Sequence, residues 1–265
     1  MDNRAIGMFD SGIGGITVLK EVKKLLPNEK VIYLGDTKRF PYGSKSKDTI
    51  IEISRQCVKF LISKNVKLII IACGTATSQS LDILKKEFNI PIIGIIEPTV
   101  KYIKDNINKE KEKIGVIATS GTIKSGQWEK KIKEEVKNVQ VINEEAPLLA
   151  TMAEQGWISN KVAEYTIKEY MKCFKNIDKL ILGCTHYPLF EKLIRKELKN
   201  NTEIINTGTK LAEFLRRYIE DNDLQNNEKT NEYKILLTDL DNNFNKIAER
   251  LLEENLTTKI EKAEI

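Results

Sequence analysis

Histidine occurs once in the 265 residues, as His186, and cysteine four times, as Cys57, Cys73, Cys173 and Cys184. No two cysteines stand in C-x-x-C spacing, so the close-set ligand pairs of a structural zinc site are lacking and no metal is expected. Free thiols in a reducing compartment are the default for such a set. No apolar run approaches the ~20 residues of a membrane helix; the longest, 68–73 and 91–96, have the length of buried strands. The opening MDNRAIGMFDSG carries no apolar signal core, so a cytoplasmic chain without a membrane role is expected. Charge of one sign is not gathered anywhere. The 43 Lys and Arg against 38 Asp and Glu give +5, dispersed through mixed runs such as 109–113, which argues against a nucleic-acid partner. Gly12, Gly14 and Gly15 do not fit G-x-G-x-x-G and no phosphate-binding G-x-x-x-x-G-K-[ST] occurs, so neither a dinucleotide nor a nucleoside triphosphate site is supported.

What is present is a globular composition, 41% hydrophobic and 31% charged, on a chain long enough for two modest domains. Short apolar strands are expected at 5–9, 31–35, 67–72, 91–96, 113–118, 139–143, 179–182, 203–205 and 233–237. Helical periodicity falls at 16–26, 48–64, 78–88, 161–174, 190–199, 209–221 and 242–254, with a further helix after 126. Glu97-Pro98 reads as a break, 144–157 as a loop with a helical turn, and 221–231 as a polar loop. Strands alternating with helices predict a parallel, doubly wound α/β architecture.

The first part of this pattern echoes in the second. Ile6-Gly7-Met8-Phe9 before a Ser/Gly loop matches Ile114-Gly115-Val116-Ile117 before another. The run from Lys67 to Cys73-Gly74-Thr75 matches that from Lys179 to Cys184-Thr185, after nearly the same interval. Two halves of one local design are the reading; chance likeness of apolar strands is the alternative.

Ligands of open α/β sheets bind beyond the carboxyl ends of the strands, where Cys73 and Cys184 are both expected. Cys57 and Cys173, placed in helix interiors, read instead as small packed hydrophobes. Two thiols in mirrored settings suit proton transfer at opposite faces of one carbon, one removing a proton as thiolate and the other returning it as thiol. An unperturbed thiol is only roughly 3% ionised at pH 7, so an activating neighbour is needed, and His186 as a cation is a candidate. The loops DSGIGG (10–15) and TSGTIKSG (119–126) offer backbone N–H groups and hydroxyls that form anion-binding nests, or else merely turn the chain.

Taken together, GMFDSGIGG, YLGDTKRFPYG, IIIACGTAT, TSGTIKS and LILGCTHYPL resemble the glutamate racemase family, in order from about residue 5 to 254. The resemblance implies racemisation of L-glutamate to D-glutamate for peptidoglycan, with no cofactor, in a cytoplasmic homodimer. It also implies two doubly wound α/β domains related by a pseudo-twofold, residues 1–97 with 209–265 and residues 98–208, with the site in the cleft between them. Carried over by motif, Cys73 and Cys184 would be the catalytic thiols, the first acting on the D-enantiomer and the second on the L-enantiomer. Asp10 would assist Cys73, and His186 and Glu154 would assist Cys184. Substrate contacts would come from Asp10, Ser11, Tyr42, Gly43, Gly74, Thr75, Thr119, Thr122, Thr185 and His186. Gly74 departs from the pattern, which has asparagine there; the missing amide leaves only a backbone N–H, and Gly74→Asn is expected to tighten binding. Aspartate racemase is the near alternative. A non-catalytic amino-acid-binding module is a further one, but it has no use for paired cysteines.

Overall fold

The computed structural model describes residues 1–108, 111–228, 230, 232–240, 242–256 and 260–265. The first sheet region runs β1 (Ile6–Asp10), α1 (Gly14–Leu25), β2 (Val31–Gly35), α2 (Lys47–Ser63), β3 (Leu68–Ile71), α3 (Gly74–Glu87), β4 (Ile92–Gly94) and α4 (Ile96–Asp105). The second sheet region follows as β5 (Lys113–Ala118), α5 (Ser120–Lys124), α6 (Gln127–Glu135), β6 (Gln140–Glu145), α7 (Pro147–Glu154), α8 (Lys161–Tyr170), β7 (Lys179–Leu182), α9 (Glu191–Glu197) and β8 (Glu203–Asn206). Then α10 (Thr207–Asp221), β9 (Tyr233–Leu237), α11 (Asn242–Leu252) and β10 (Ile260–Lys262) complete the order. Of the loop read over 221–231, residues 229 and 231 lie outside the described residues.

The strands make two parallel sheets, β10-β9-β2-β1-β3-β4 and β6-β5-β7-β8. The order β2-β1-β3-β4 in the first is repeated by β6-β5-β7-β8 in the second. Register fixes the correspondence more closely than the sequence echo did. Ala72 donates to the Phe9 carbonyl at 3.0 Å, and Gly183 donates to that of Ile117 at 2.8 Å. Cys73 and Cys184 are therefore the next residues out on equivalent strands. The matched lysines are one residue out of step, since Ile6 pairs with Leu68 but Ile114 pairs with Lys179.

Alternation along the strands distributes the core over three layers. Ile6, Met8, Leu68 and Ile70 of the first sheet and Ile114, Val116 and Ile181 of the second enter one continuous core with α1, α4, α6 and α10. Phe9, Ile69 and Ile71 face a separate core under α2 and α3, while Ile117, Leu180 and Leu182 face another under α7, α8 and α9. Both faces of each central strand are thus buried, which is why these strands read as unbroken apolar runs.

Several boundaries differ from expectation. The α3 helix starts at Gly74, four residues before the expected start, because Cys73 is its N-cap in extended conformation. Glu97-Pro98 does not break the chain; it lies in the first turn of α4, where proline's missing N–H has no intrahelical partner to lose. Residues 119–126 contain the short helix α5, and 144–157 holds the eight residues of α7. Cys173 is not in a helix interior: it is exposed, in a 3-10 turn (Met171–Cys173). No helix among the described residues is long and apolar enough to cross a membrane.

Candidate active site

The carboxyl ends of β1, β3, β5 and β7 converge on a cavity of about 90 Å³. Of the residues named from the family resemblance, Ser11, Tyr42, Gly43, Cys73, Gly74, Thr75, Thr119, Cys184, Thr185 and His186 line it. Sequence reasoning missed Phe40, Pro41, Ser44, Ser120, Pro147 and Ala150. The flanking motifs were the available signal for Phe40, Pro41 and Ser44; Phe40 also packs its ring 5.7 Å from that of His186. Among the described residues no lysine or arginine lines the cavity.

Asp10, Thr122 and Glu154 stand behind this lining rather than on it. Asp10 is fully buried, accepting the Gly12 amide at 3.1 Å and the Thr185 hydroxyl at 3.2 Å. Burial pushes its carboxyl up to about 6 against the opposing pull of His186 and these two donors. Thr122 closes a hydroxyl triangle with Thr75 and Thr119, with sides of 2.8, 2.8 and 3.2 Å. Tyr42 spends its hydroxyl on Asp36 at 2.5 Å, so it can offer a ligand only its ring and backbone.

The two thiols sit in different electrostatic settings. Cys73 caps α3, and its thiol is pushed well up by burial and then by the Asp10 carboxylate, only partly offset by the Ala76 and Thr75 amides. Cys184 Sγ lies 3.6 Å from His186 Nδ1, and His186 Nε2 lies 2.7 Å from Glu154 Oε1. Burial disfavours the imidazolium, yet Cys184 and Glu154 together outweigh it and hold His186 well above its ordinary value. Both ring nitrogens then donate, one toward sulfur and one to carboxylate.

The DSGIGG loop is not an open nest. Its Gly12 amide is committed to Asp10, and its Ile13 amide donates to Glu154 at 2.8 Å. Its glycines are not needed for turning either, since among the described glycines only Gly126 and Gly156 have positive φ. They are needed for proximity. A Cβ on Gly12 would fall 2.3 Å from Glu154 Oε1, and one on Gly14 would fall 2.4 Å from Thr185 Oγ1.

The profile of Asp/Glu/hydantoin racemases matches residues 14–215. The chain belongs to this racemase family. It is 42% identical over 264 residues to the glutamate racemase of a Sulfurihydrogenibium species, covering 98% of each chain. Among solved structures it is similar to the Francisella tularensis glutamate racemase in complex with D-glutamate, at TM-score 0.90 and 38% identity over 100% of this chain and 98% of that one. The Bacillus anthracis glutamate racemase isoform RacE1 superposes at TM-score 0.94 with 32% identity, over 100% and 99% of the two chains. As a racemase fold, the two sheets serve to bring two strand ends, each carrying a cysteine, to one cavity.

Proposed function

We propose that this racemase interconverts L- and D-glutamate by proton transfer between Cys73 and Cys184. The observation that carries the reading is the equivalence of the two cysteines: each leaves its sheet at the same rung, and both line one cavity. The relatives named glutamate racemase at this similarity favour glutamate over aspartate.

The unequal settings of the thiols support different starting roles. Cys184, beside the His186 imidazolium, is the thiolate that takes the Cα proton of L-glutamate and becomes a thiol. Cys73, held as a thiol, gives its proton to the opposite face and becomes a thiolate, releasing D-glutamate. Asp10 and solvent return the Cys73 proton, and the Cys184 proton leaves to solvent while the His186 imidazolium, held by Glu154, stabilises the thiolate left behind. The reverse reaction runs the same transfers backwards. Negative charge developing on the substrate carboxylate meets the paired hydroxyls of Thr75 and Thr119 and the Gly74 amide at the start of α3, which act as preorganised donors. Ser11 and the Tyr42-Gly43 turn bind the remaining polar groups.

The two sheets support a division into two domains, residues 1–97 with 209–265 and residues 98–208, with the substrate between them. Production of D-glutamate for peptidoglycan in the cytoplasm, by a homodimer, completes the proposal. Chiral chromatography of L-glutamate and L-aspartate incubated separately with the purified protein tests it. Racemic glutamate without added cofactor is the expected result, and faster turnover of aspartate would reject the substrate assignment.

A further inference from the structure

Gly74 has no backbone reason to be glycine. It is the first residue of α3 and does not adopt positive φ. Its reason is the facing chain: a Cβ built there would stand 2.3 Å from the carbonyl oxygen of Gly183 and 3.4 Å from that carbonyl's carbon. Unlike the collisions at Gly12 and Gly14, which fall on side-chain ends, this one falls on backbone. Nor can the Gly183 carbonyl readily retreat. The Gly183 amide is tied to Ile117 at 2.8 Å, and the space on its α-carbon is closed by Ala118, Trp128 Nε1 and the Ile117 carbonyl at 3.0–3.1 Å. Ile95 Cδ1, 3.5 Å from the same built Cβ, closes another side.

The two residues in this contact are the immediate neighbours of the two thiols, Cys73-Gly74 against Gly183-Cys184. We propose that Gly74 is a positioning residue that sets the spacing between Cys73 and Cys184, its bare α-carbon letting the two strand ends close backbone to backbone. The inference rests on the two-thiol reading above and adds to it a determinant of distance. Two-sided proton transfer needs each sulfur at near-attack range, roughly 3–3.5 Å, of one carbon, so the separation of the sulfurs is a catalytic variable in itself. With the Gly183 carbonyl held where this chain holds it, a side chain at residue 74 wedges the strand ends apart and withdraws at least one sulfur from the carbon. This reverses the expectation drawn from the sequence: asparagine at this position adds an amide where there is no room for its Cβ.

The test reads spacing and turnover separately. Bifunctional thiol reagents of increasing span are applied to the Cys173→Ala protein without substrate, and bridged peptides are identified by mass. The shortest reagent is expected to bridge Cys73 and Cys184. In Gly74→Ala only a longer one should do so, while kcat falls about 10²-fold, the order that a misplacement of about 1 Å costs. Gly74→Asn should lose at least as much. Gly74→Ala that racemises at the parent rate, or that keeps the short bridge, overturns the proposal. If Gly74→Ala does not fold, the glycine protein decides: bridging by the shortest reagent upholds the close approach, and bridging by long reagents alone overturns it. Absence of racemisation by the parent protein counts against the proposed function and leaves the spacing result standing, because cross-linking needs no turnover.

Discussion

Glu154 places a single carboxylate oxygen 2.7 Å from His186 Nε2 and, on its other side, 2.8 Å from the amide of Ile13. The Ile13 amide belongs to the loop after β1, whereas Glu154 and His186 belong to the elements around the second sheet. The charge that favours the imidazolium is therefore itself held in place by the opposite side of the cleft. His186 reaches Cys184 with its other nitrogen, so a change at Glu154 is transmitted to the sulfur.

Glu154→Gln keeps an acceptor for Ile13 but removes the negative charge. One of the two influences that raise His186 is lost, its pKa falls, and Cys184 loses part of its cationic partner. Alkylation of Cys184 by iodoacetamide at pH 7 is expected to slow, with kcat down tenfold for each ~1.4 kcal/mol lost. Alkylation at the parent rate across the pH range would show that the carboxylate does not act through the imidazole.

If the thiols act from opposite faces, the proton removed is not the one returned. In deuterated water, D-glutamate formed early from L-glutamate should carry deuterium at Cα while unreacted L-glutamate stays largely unlabelled. Cys73→Ala and Cys184→Ala should each stop inversion, since a methyl group neither takes nor gives a proton. Full racemisation by either variant would reject the two-thiol mechanism.

Asp10 trades stability for its place beside the cavity. Its folded value of about 6 lies above the ordinary 3.8, so the folded state holds this proton more tightly than the unfolded chain. Stability from this group is consequently highest at low pH and declines as pH rises from about 4 to about 6, by about 3 kcal/mol. Asp10→Asn should raise the melting temperature by several degrees at pH 8, with the gain vanishing near pH 4. Racemisation should fall in the same variant. A melting temperature lowered equally at both pH values would contradict the assignment.

The two remaining cysteines should separate cleanly. Cys57 is fully buried, its thiol pushed up to about 12 chiefly by burial. Cys57→Ala opens a small cavity and should cost about 1–2 kcal/mol in urea denaturation. Cys173 is exposed, and Cys173→Ala should change stability by less than about 0.5 kcal/mol. Both should keep turnover once folding is verified; near-total loss in a folded variant would mean that the catalytic pair has been misassigned.

At the opposite end of the first sheet, Lys67 is buried on Glu29 and also donates to the carbonyls of Asp2 and Leu224, at 2.9 and 2.6 Å. Glu29 in turn accepts the Asn226 amide at 2.9 Å. Lys67→Met leaves a buried carboxylate without its cation and should destabilise by about 3–5 kcal/mol. The double variant Lys67→Met with Glu29→Gln should recover part of that loss. Equal losses in the single and double variants would show that packing, not charge, dominates there.

The strands that carry the thiols were legible because burial on both faces forces an unbroken apolar run, and the run stops where the backbone reaches the cavity. Leu68–Ile71 and Lys179–Leu182 are of this kind. The α4 helix was hidden by Pro98, which marks a break anywhere except a first turn. The β10 strand was hidden by its brevity and exposure at a sheet edge, which leave no alternation to read. Cys73 and Cys184 could be found from their own surroundings. Glu154 against Ile13, and Gly74 against Gly183, could not, because each contact joins segments over a hundred residues apart whose approach only the folded sheets determine.

The cavity wall without lysine or arginine has a bearing on how an anion is captured. Amides and hydroxyls act over a bond length, whereas a guanidinium or ammonium projects its field into solvent until salt screens it, over about 8 Å at physiological ionic strength. His186, the imidazolium in the wall, is already flanked by Cys184 and Glu154, so the lining holds an anionic amino acid chiefly by contact. Once the carboxylate is inside, the groups that meet it act only within hydrogen-bond reach, so fit rather than charge decides what stays.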